Sequence, residues 1–413
     1  MKFDTTIIGG GLSALVCGLE LQRNGRTTAI VSSGQSSLFF FSGAFGLLSR
    51  LPDGTFVDRP LDVLESLPET HPYSKAGAGN VRRYASEFRS FFESCGVKLN
   101  GCDVVNGWRF MAGGGMKRAW ASLPDLELFQ TVSALAGRKA LVVRIPGFLD
   151  HFPVLIAESL GKGGCRCRVA DVTVPEMEVL RTSSNVVRSL SIAKVVEQPE
   201  VLDAFIAAVS SAVSDEDVVI LPQIFGLKSD EALRMIRESL KAEVLFFNTM
   251  TPSVPGNRLY SQLRAAYEAA GGTFISGTVR SGNIAGGMLE DITVDGQEEP
   301  VEADSYVLAT GSFASRGLVS TSESVSEPVF GLDVDALRDR SLWTSEDMDA
   351  RQGYLSSGVR TDESFRACFR GETVRNLYAC GSVLSGADSL YEGSGAGVAV
   401  ITALRVSDLI LGR

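Results

Sequence analysis

The first 33 residues, MKFDTTIIGGGLSALVCGLELQRNGRTTAIVSS, constrain the fold more than any other stretch. An apolar run ends in three glycines, a segment of helical length follows, and a second apolar run begins at Thr28. The pattern predicts a strand over Thr5–Gly9, a helix from about Ser13 to Asn24 closed by Gly25, and a strand over Thr28–Ser32. Gly9-Gly10-Gly11-Leu12-Ser13-Ala14 fits G-x-G-x-x-G/A, in which Gly9 makes the tight turn, Gly11 admits a pyrophosphate and Ala14 allows close helix–strand packing. The anion would rest on free amides at the positive end of the helix.

One part of that pattern is missing. Ser32, 21 positions after Gly11, and its neighbour Ser33 stand where a ribose-binding carboxylate is expected. A serine hydroxyl accepts a hydrogen bond but lacks the charge-assisted pair of a carboxylate. The difference weakens the adenosine grip by about 1–2 kcal/mol. The phosphate grip is intact, so both FMN and FAD stay open.

The rest of the chain alternates strand-like and helical stretches, as in α/β proteins with parallel sheets. VRRYASEFRSFFESCGV reads as an amphipathic helix, and Lys139–Ile145, Cys167–Thr173 and Val218–Pro222 read as strands. A helix over NRLYSQLRAAYEAAGG and a strand ending VLATGSF follow. The expected architecture is a Rossmann-type dinucleotide-binding domain made from both chain ends, 1–54 and 251–413, with a second α/β domain inserted at 55–250. Its 413 residues, 45% hydrophobic and 21% charged, suit two or three domains of a soluble protein. The formal net charge of -10 argues against nucleic acid as a partner. Neither a secretory signal pattern nor a run long enough to span a bilayer is expected. Seven scattered cysteines suit a reducing compartment, and Cys165-x-Cys167 lacks the second pair a metal site requires, so no metal is expected.

Two further turns favour a flavin over a nicotinamide. Thr310-Gly311 ends a strand, and Gly381-Ser382 leads to Gly393-Ser394-Gly395-Ala396-Gly397 and a helix. The second glycine-rich helix start offers its dipole to the flavin N1–C2=O edge, which becomes anionic on reduction.

With GGGLSA, ATGS, Gly358-Val359-Arg360-Thr361-Asp362-Glu363 and LYACGSV followed by EGSGAGVAV, the chain resembles the fumarate reductase and succinate dehydrogenase flavoprotein superfamily. Within it, the nearer resemblance is to the B-subunit family of anaerobic glycerol-3-phosphate dehydrogenases. That likeness runs nearly full length, through the stretch Ser33–Ser36, SGAFGLLS (42–49), HPYS (71–74), TPSVPGNRL (251–259) and EPVFGLDV (327–334). It implies oxidation of sn-glycerol 3-phosphate to dihydroxyacetone phosphate by a flavin, FMN or FAD. It also implies two partners, a second flavoprotein subunit and an iron–sulfur subunit that docks the pair on the inner face of the cytoplasmic membrane. Electrons then pass indirectly to quinone. Ser32 and Ser382 depart from the superfamily pattern, which usually has acids there.

The implied cofactor-binding residues are Gly9, Gly11, Leu12, Ser13, Ala14, Ser32, Ser33, Ser42, Gly43, Thr310, Gly311, Gly381, Ser382, Gly395, Ala396 and Gly397. Alcohol oxidation also needs a base, and a phosphorylated substrate needs a cation. His71, in a polar loop, is the candidate base, with His151 second. Arg360 is the candidate cation, ahead of Arg258 and Arg316, since the GVRTD stretch approaches the isoalloxazine in similar proteins. Two alternatives stay open: a fumarate- or succinate-type enzyme acting on a dicarboxylate, and a non-catalytic relay or scaffold subunit. Leu38-Phe39-Phe40-Phe41 is a candidate partner face, or else core.

Overall fold

The computed structural model describes residues 1–34, 36–102, 104–181 and 187–413, so Gln35 of the Ser33–Ser36 stretch lies outside the described residues. The principal elements of its first half are β1 (Lys2–Ile8), α1 (Leu12–Arg23), β2 (Thr28–Ser32), α2 (Pro72–Ala76), α3 (Ala78–Glu93), β3 (Gly107–Phe110), β4 (Met116–Ala119), β5 (Lys139–Arg144), α4 (Pro153–Lys162) and β6 (Arg166–Asp171). Then come β7 (Val218–Pro222), β8 (Glu243–Phe247), α5 (Val254–Ala269), β9 (Thr273–Ser276), β10 (Val279–Ala285), β11 (Met288–Val294), β12 (Val301–Leu308), β13 (Arg366–Phe369), β14 (Glu372–Ala379) and α6 (Gly395–Leu411). They form two compact units, one of residues 1–37, 45–95 and 262–413, the other of residues 38–44 and 96–261.

The first unit is built on an eight-stranded sheet with the path β9-β2-β1-β12-β11-β10, to which β14 adds beside β12 and β13 beside β14. β9, β2, β1, β12 and β14 are mutually parallel, while β11, β10 and β13 join antiparallel. Ile7, Ile8, Ala29, Ile30, Val307 and Leu308 are buried, as strands covered on both faces require. α1 and α6 lie side by side, with Ser407 Oγ donating to Cys17 O at 3.4 Å.

Residues 55–95, expected from the sequence to lie in the insertion, instead belong to the first unit. The cause is the apolar stripe of α3. Tyr84, Phe88, Phe91 and Phe92 are buried, and Phe45 meets the Phe88 and Phe92 rings edge-on at centroid distances of 5.5 and 5.1 Å. Tyr84 donates to Asp408 Oδ2 of α6 at 2.7 Å, and Arg83 pairs with the same carboxylate.

The second unit has a four-stranded parallel sheet in the order β8-β7-β5-β6. All five residues of β7 are buried, as is every residue of β8 after Glu243. Apolar clusters cover both faces, one around Phe205, Phe225 and Phe246, the other around Phe110, Ile156 and Phe247. β3 and β4 form a hairpin in which Trp108 faces Arg118 and Arg109 faces Lys117. Among the described residues, no helix is long and apolar enough to cross a membrane.

Candidate functional site

The parallel strands of the first unit run out together. Gly9 N donates to Val31 O at 2.8 Å, Ala309 N to Ile8 O at 2.8 Å, and Cys380 N to Leu308 O at 3.0 Å. The ends of β2, β1, β12 and β14 therefore bring Ser32, Gly9–Gly11, Thr310–Gly311 and Gly381–Ser382 to one edge. That is where open α/β sheets bind ligands. Gly9 has φ +120°, and a Cβ there would lie 2.2 Å from Ala309 O, so only glycine fits. A Cβ on Gly10 would lie 2.4 Å from Ser32 Oγ, so Ser32 covers the glycine turn directly. Ser33 is exposed beside it.

Gly11 caps α1 without help. No side chain bonds the helix start, and the first turn holds no acid. The side chains of Leu12, Ser13 and Ala14 point into the core, leaving their backbone as the part available to a ligand. Gly381 lies over this start: a Cβ would be 2.5 Å from Ser13 Oγ, and its N–H donates to Thr402 Oγ1 at 2.9 Å. Ser382 Oγ would be 3.5 Å from a Cβ on Gly311. Thr310 Oγ1 is buried with no partner. An unsatisfied hydroxyl costs free energy unless something occupies the site. This edge fits a flavin: glycines where backbone must come close, an uncapped helix start, and an orphaned donor.

At the other glycine-rich start, Gly395 and Ala396 open α6 with no side-chain cap. Gly397 is used differently, because its N–H donates to Gly46 O at 2.9 Å and a Cβ would lie 2.2 Å from Tyr73 Oη. It fastens the helix to the Gly46–Arg50 segment, whose Ser49 and Arg50 amides bond Glu392 O at 2.8 and 3.1 Å.

His71 is not a polar-loop residue; it is fully buried. Nδ1 accepts from Tyr73 N at 3.0 Å as the N-cap of α2, so the neutral ring carries its proton on Nε2, 3.2 Å from Glu392 Oε2. The same carboxylate oxygen accepts from Ser394 Oγ at 3.0 Å. Both ring nitrogens are thus committed to holding the turn before α6. Asp388, in that turn and unremarked in the sequence, is buried with Oδ2 unpartnered, and burial raises its carboxyl pKa.

Arg360 is exposed and its Nε donates to Asp335 Oδ1 at 2.8 Å, an ion pair that holds its pKa above the ordinary value. Asp335 also accepts from Ser385 Oγ at 3.1 Å, so the pair steadies the stretch where Gly358 lies against Leu384. Arg316 is exposed at a turn. Arg258 is neither solvated nor a cap. It is 2% exposed, bonded to Asp125 Oδ1 at 2.7 Å and to Gly226 O, as a buried ion pair of the second unit.

Ser42 and Gly43 belong to the second unit, where Ser42 O accepts from Asn248 Nδ2 at 2.7 Å and Gly43 O from Leu123 N at 2.7 Å. Asn248 Nδ2 also donates to Gln223 Oε1 at 2.8 Å, and Gln223 Nε2 to Asp125 O at 3.2 Å. Asn248 Oδ1 accepts from Arg109 Nη1 at 3.1 Å. Asn248 and Gln223 directly follow β8 and β7. Sequence reasoning passes over both; the signal is an amide placed straight after a buried apolar strand. His151 is 5% exposed with both nitrogens unpartnered among the described residues, and burial pushes its pKa down to about 4. In the Leu38–Phe41 run, Leu38 is 3% exposed and Phe40 67%, while Phe39 meets the Tyr260 ring at a 45° tilt, so core and surface share it.

The FAD binding domain family matches residues 4–398. The chain is 36% identical over 416 residues to a Pectobacterium atrosepticum protein named as the B-subunit of anaerobic glycerol-3-phosphate dehydrogenase, covering 100% of this chain and 99% of that one. Proteins of the same name from Yersinia enterocolitica and Actinobacillus pleuropneumoniae are 36% and 34% identical, covering 100% of this chain and 98% and 100% of theirs. The fold is that of FAD-binding flavoenzymes, and the cofactor is a flavin. The chain belongs to the B-subunit family of anaerobic glycerol-3-phosphate dehydrogenases, flavin-dependent oxidoreductases built on the FAD binding domain.

Proposed function

We propose that this chain is a flavin-bearing subunit of an sn-glycerol 3-phosphate:quinone oxidoreductase and oxidises the C2 hydroxyl to the ketone of dihydroxyacetone phosphate. The observation that carries the reading is the meeting of Gly9–Gly11, Thr310–Gly311 and Gly381–Ser382 at one sheet edge, in a chain similar end to end to proteins of that family. A bound flavin would supply the two-electron acceptor for the hydride of C2, and the hydroxyl proton would pass to solvent water.

The chain's own residues do the holding. The amides of Gly11, Leu12, Ser13 and Ala14 take the phosphate, and Ser32 and Ser33 face whatever extends beyond it. In the first unit, Thr310, Gly311, Gly381 and Ser382 would hold the ribityl part, and the amides of Gly395 and Ala396 would serve the edge that turns anionic on reduction. His71 acts through Glu392 and Ser394 as the anchor of that last turn. Electrons leave through a second flavoprotein subunit and an iron–sulfur subunit, which dock the complex on the inner face of the cytoplasmic membrane.

A second reading, a relay subunit whose partner performs the oxidation, is favoured by one observation: both His71 ring nitrogens are engaged and those of His151 are sealed from solvent. Anaerobic mixing of the reconstituted complex with glycerol 3-phosphate or succinate separates the possibilities. Bleaching of this chain's flavin by glycerol 3-phosphate alone is expected. Bleaching by succinate alone overturns the substrate, and bleaching confined to the partner's flavin selects the relay. Mass spectrometry of the heat-released flavin distinguishes FMN from FAD. The lone chain should reduce no quinone.

A further inference from the structure

Arginines in the second unit generally sit beside carboxylates. Arg258 has Asp125, Arg188 has Asp150, Arg237 has Glu127, and Arg138 has Asp217 and Glu243. Arg109 has none among the described residues, and burial alone acts on its guanidinium, lowering its pKa to about 10. Its Nε is buried with no acceptor among the described residues. Lys117 stands directly opposite in the hairpin. An enclosed charge normally has a counter-charge, since the desolvation is otherwise uncompensated.

What holds Arg109 is a neutral relay. Nη1 donates to Asn248 Oδ1 at 3.1 Å, and the orientation of that amide is fixed because its Nδ2 is spent on Gln223 Oε1 and Ser42 O. Gln223 is 2% and Asn248 5% exposed. Such a relay orients a guanidinium without neutralising it, which leaves its charge and fork for a ligand anion. The group stands at the carboxyl ends of β7 and β8, the ligand-binding edge of a parallel sheet.

We infer that Arg109 is the residue that binds the phosphate of the substrate, held in position by Asn248 and Gln223, and that Arg360 is not. That the anion is a phosphomonoester rests on the proposed function; that an anion binds there rests on this unit alone.

The test uses the full chain in its complex, with R109Q, R109K and N248D. Loss of a charged hydrogen-bonding fork corresponds to roughly 10- to 100-fold in affinity. R109Q should raise KM for sn-glycerol 3-phosphate by about that factor with a much smaller change in kcat, and R109K, which keeps the charge but not the fork, should fall between. N248D is nearly isosteric. It puts a carboxylate beside Arg109 but loses the Nδ2 bonds to Gln223 Oε1 and Ser42 O, so it should weaken substrate as much as R109Q and also lower the melting temperature, whereas R109Q and R109K leave those two bonds in place and should weaken substrate with the melting temperature nearly unchanged. The second readout, calorimetric binding of inorganic phosphate to the oxidised protein, needs no turnover. It should be seen in wild type and lost in R109Q and N248D. Absence of phosphate binding in wild type, or unchanged KM and phosphate affinity in N248D and R109K, overturns the inference. Phosphate binding that depends on Arg109 in a complex whose flavin glycerol 3-phosphate does not reduce keeps the anion site and removes the substrate reading.

Discussion

The sheet edge of the first unit carries Gly9–Gly11, Thr310–Gly311 and Gly381–Ser382, whereas that of the second carries Gln223, Asn248 and Arg109. Both are carboxyl ends of parallel strands, where backbone amides and following residues are available to a ligand. The first edge is made of backbone and small hydroxyls. It can hold a polyanionic cofactor closely without burying a formal charge, and it tolerates no added volume. The second is made of long polar side chains, each oriented by the next. It tolerates changes of shape better than changes of charge. The two regions should therefore fail in different ways when altered.

The largest effect is expected at Gly9. Gly9→Val adds a β-branched side chain where a Cβ already falls 2.2 Å from Ala309 O, so the purified variant should show almost no flavin absorbance near 450 nm. Phosphate binding at Arg109 should persist in it. Loss of both together would break the division of labour between the two edges.

Next is the buried pair under the second edge. Arg258→Met leaves Asp125 buried and unpaired, which costs about 3–5 kcal/mol and should appear as an early unfolding transition in urea. A single unchanged transition would show that the pair contributes little.

His151 makes the second unit acid-sensitive. Its pKa of about 4 lies below the ordinary 6.5, so on acidification the unfolded chain takes the proton first. The stability from keeping the ring neutral is complete above about pH 6.5 and is lost as pH falls toward about 4, roughly 3 kcal/mol in all at about 1.4 kcal/mol per pH unit. The difference between wild-type and His151→Leu unfolding free energies, followed over that range, should narrow or invert as pH drops. A pH-independent difference would contradict the burial of a neutral ring.

The smallest effect is expected at Arg360. Arg360→Gln removes an exposed pair with Asp335 and should change stability by no more than about 0.5 kcal/mol in thermal or urea unfolding. A KM rise equal to that of R109Q would move the phosphate site to the first unit.

Much of the first edge is legible in the chain. The β2 bounds Thr28–Ser32 match, α1 is shifted by one residue at each end, and the glycines of three separate stretches do meet. Period and turn chemistry are local properties, and parallel pairing of such strands carries their ends to the same side. The strand Glu243–Phe247 is not legible, because four apolar residues after a helix do not by themselves say strand.

By itself the sequence determined that this is an α/β chain opening on a phosphate-binding turn, since glycine spacing and strand–helix alternation act over a few residues. Tertiary structure alone decided which charges are spent. Arg258 and Asp125 are 133 positions apart, and Arg109 and Asn248 are 139 apart, so no local pattern distinguishes the paired arginine from the unpaired one. It likewise decided that His71, 321 positions from Glu392, is an anchor. Whether a side chain is spent depends on which groups it meets when desolvated, and that is set by packing between distant segments.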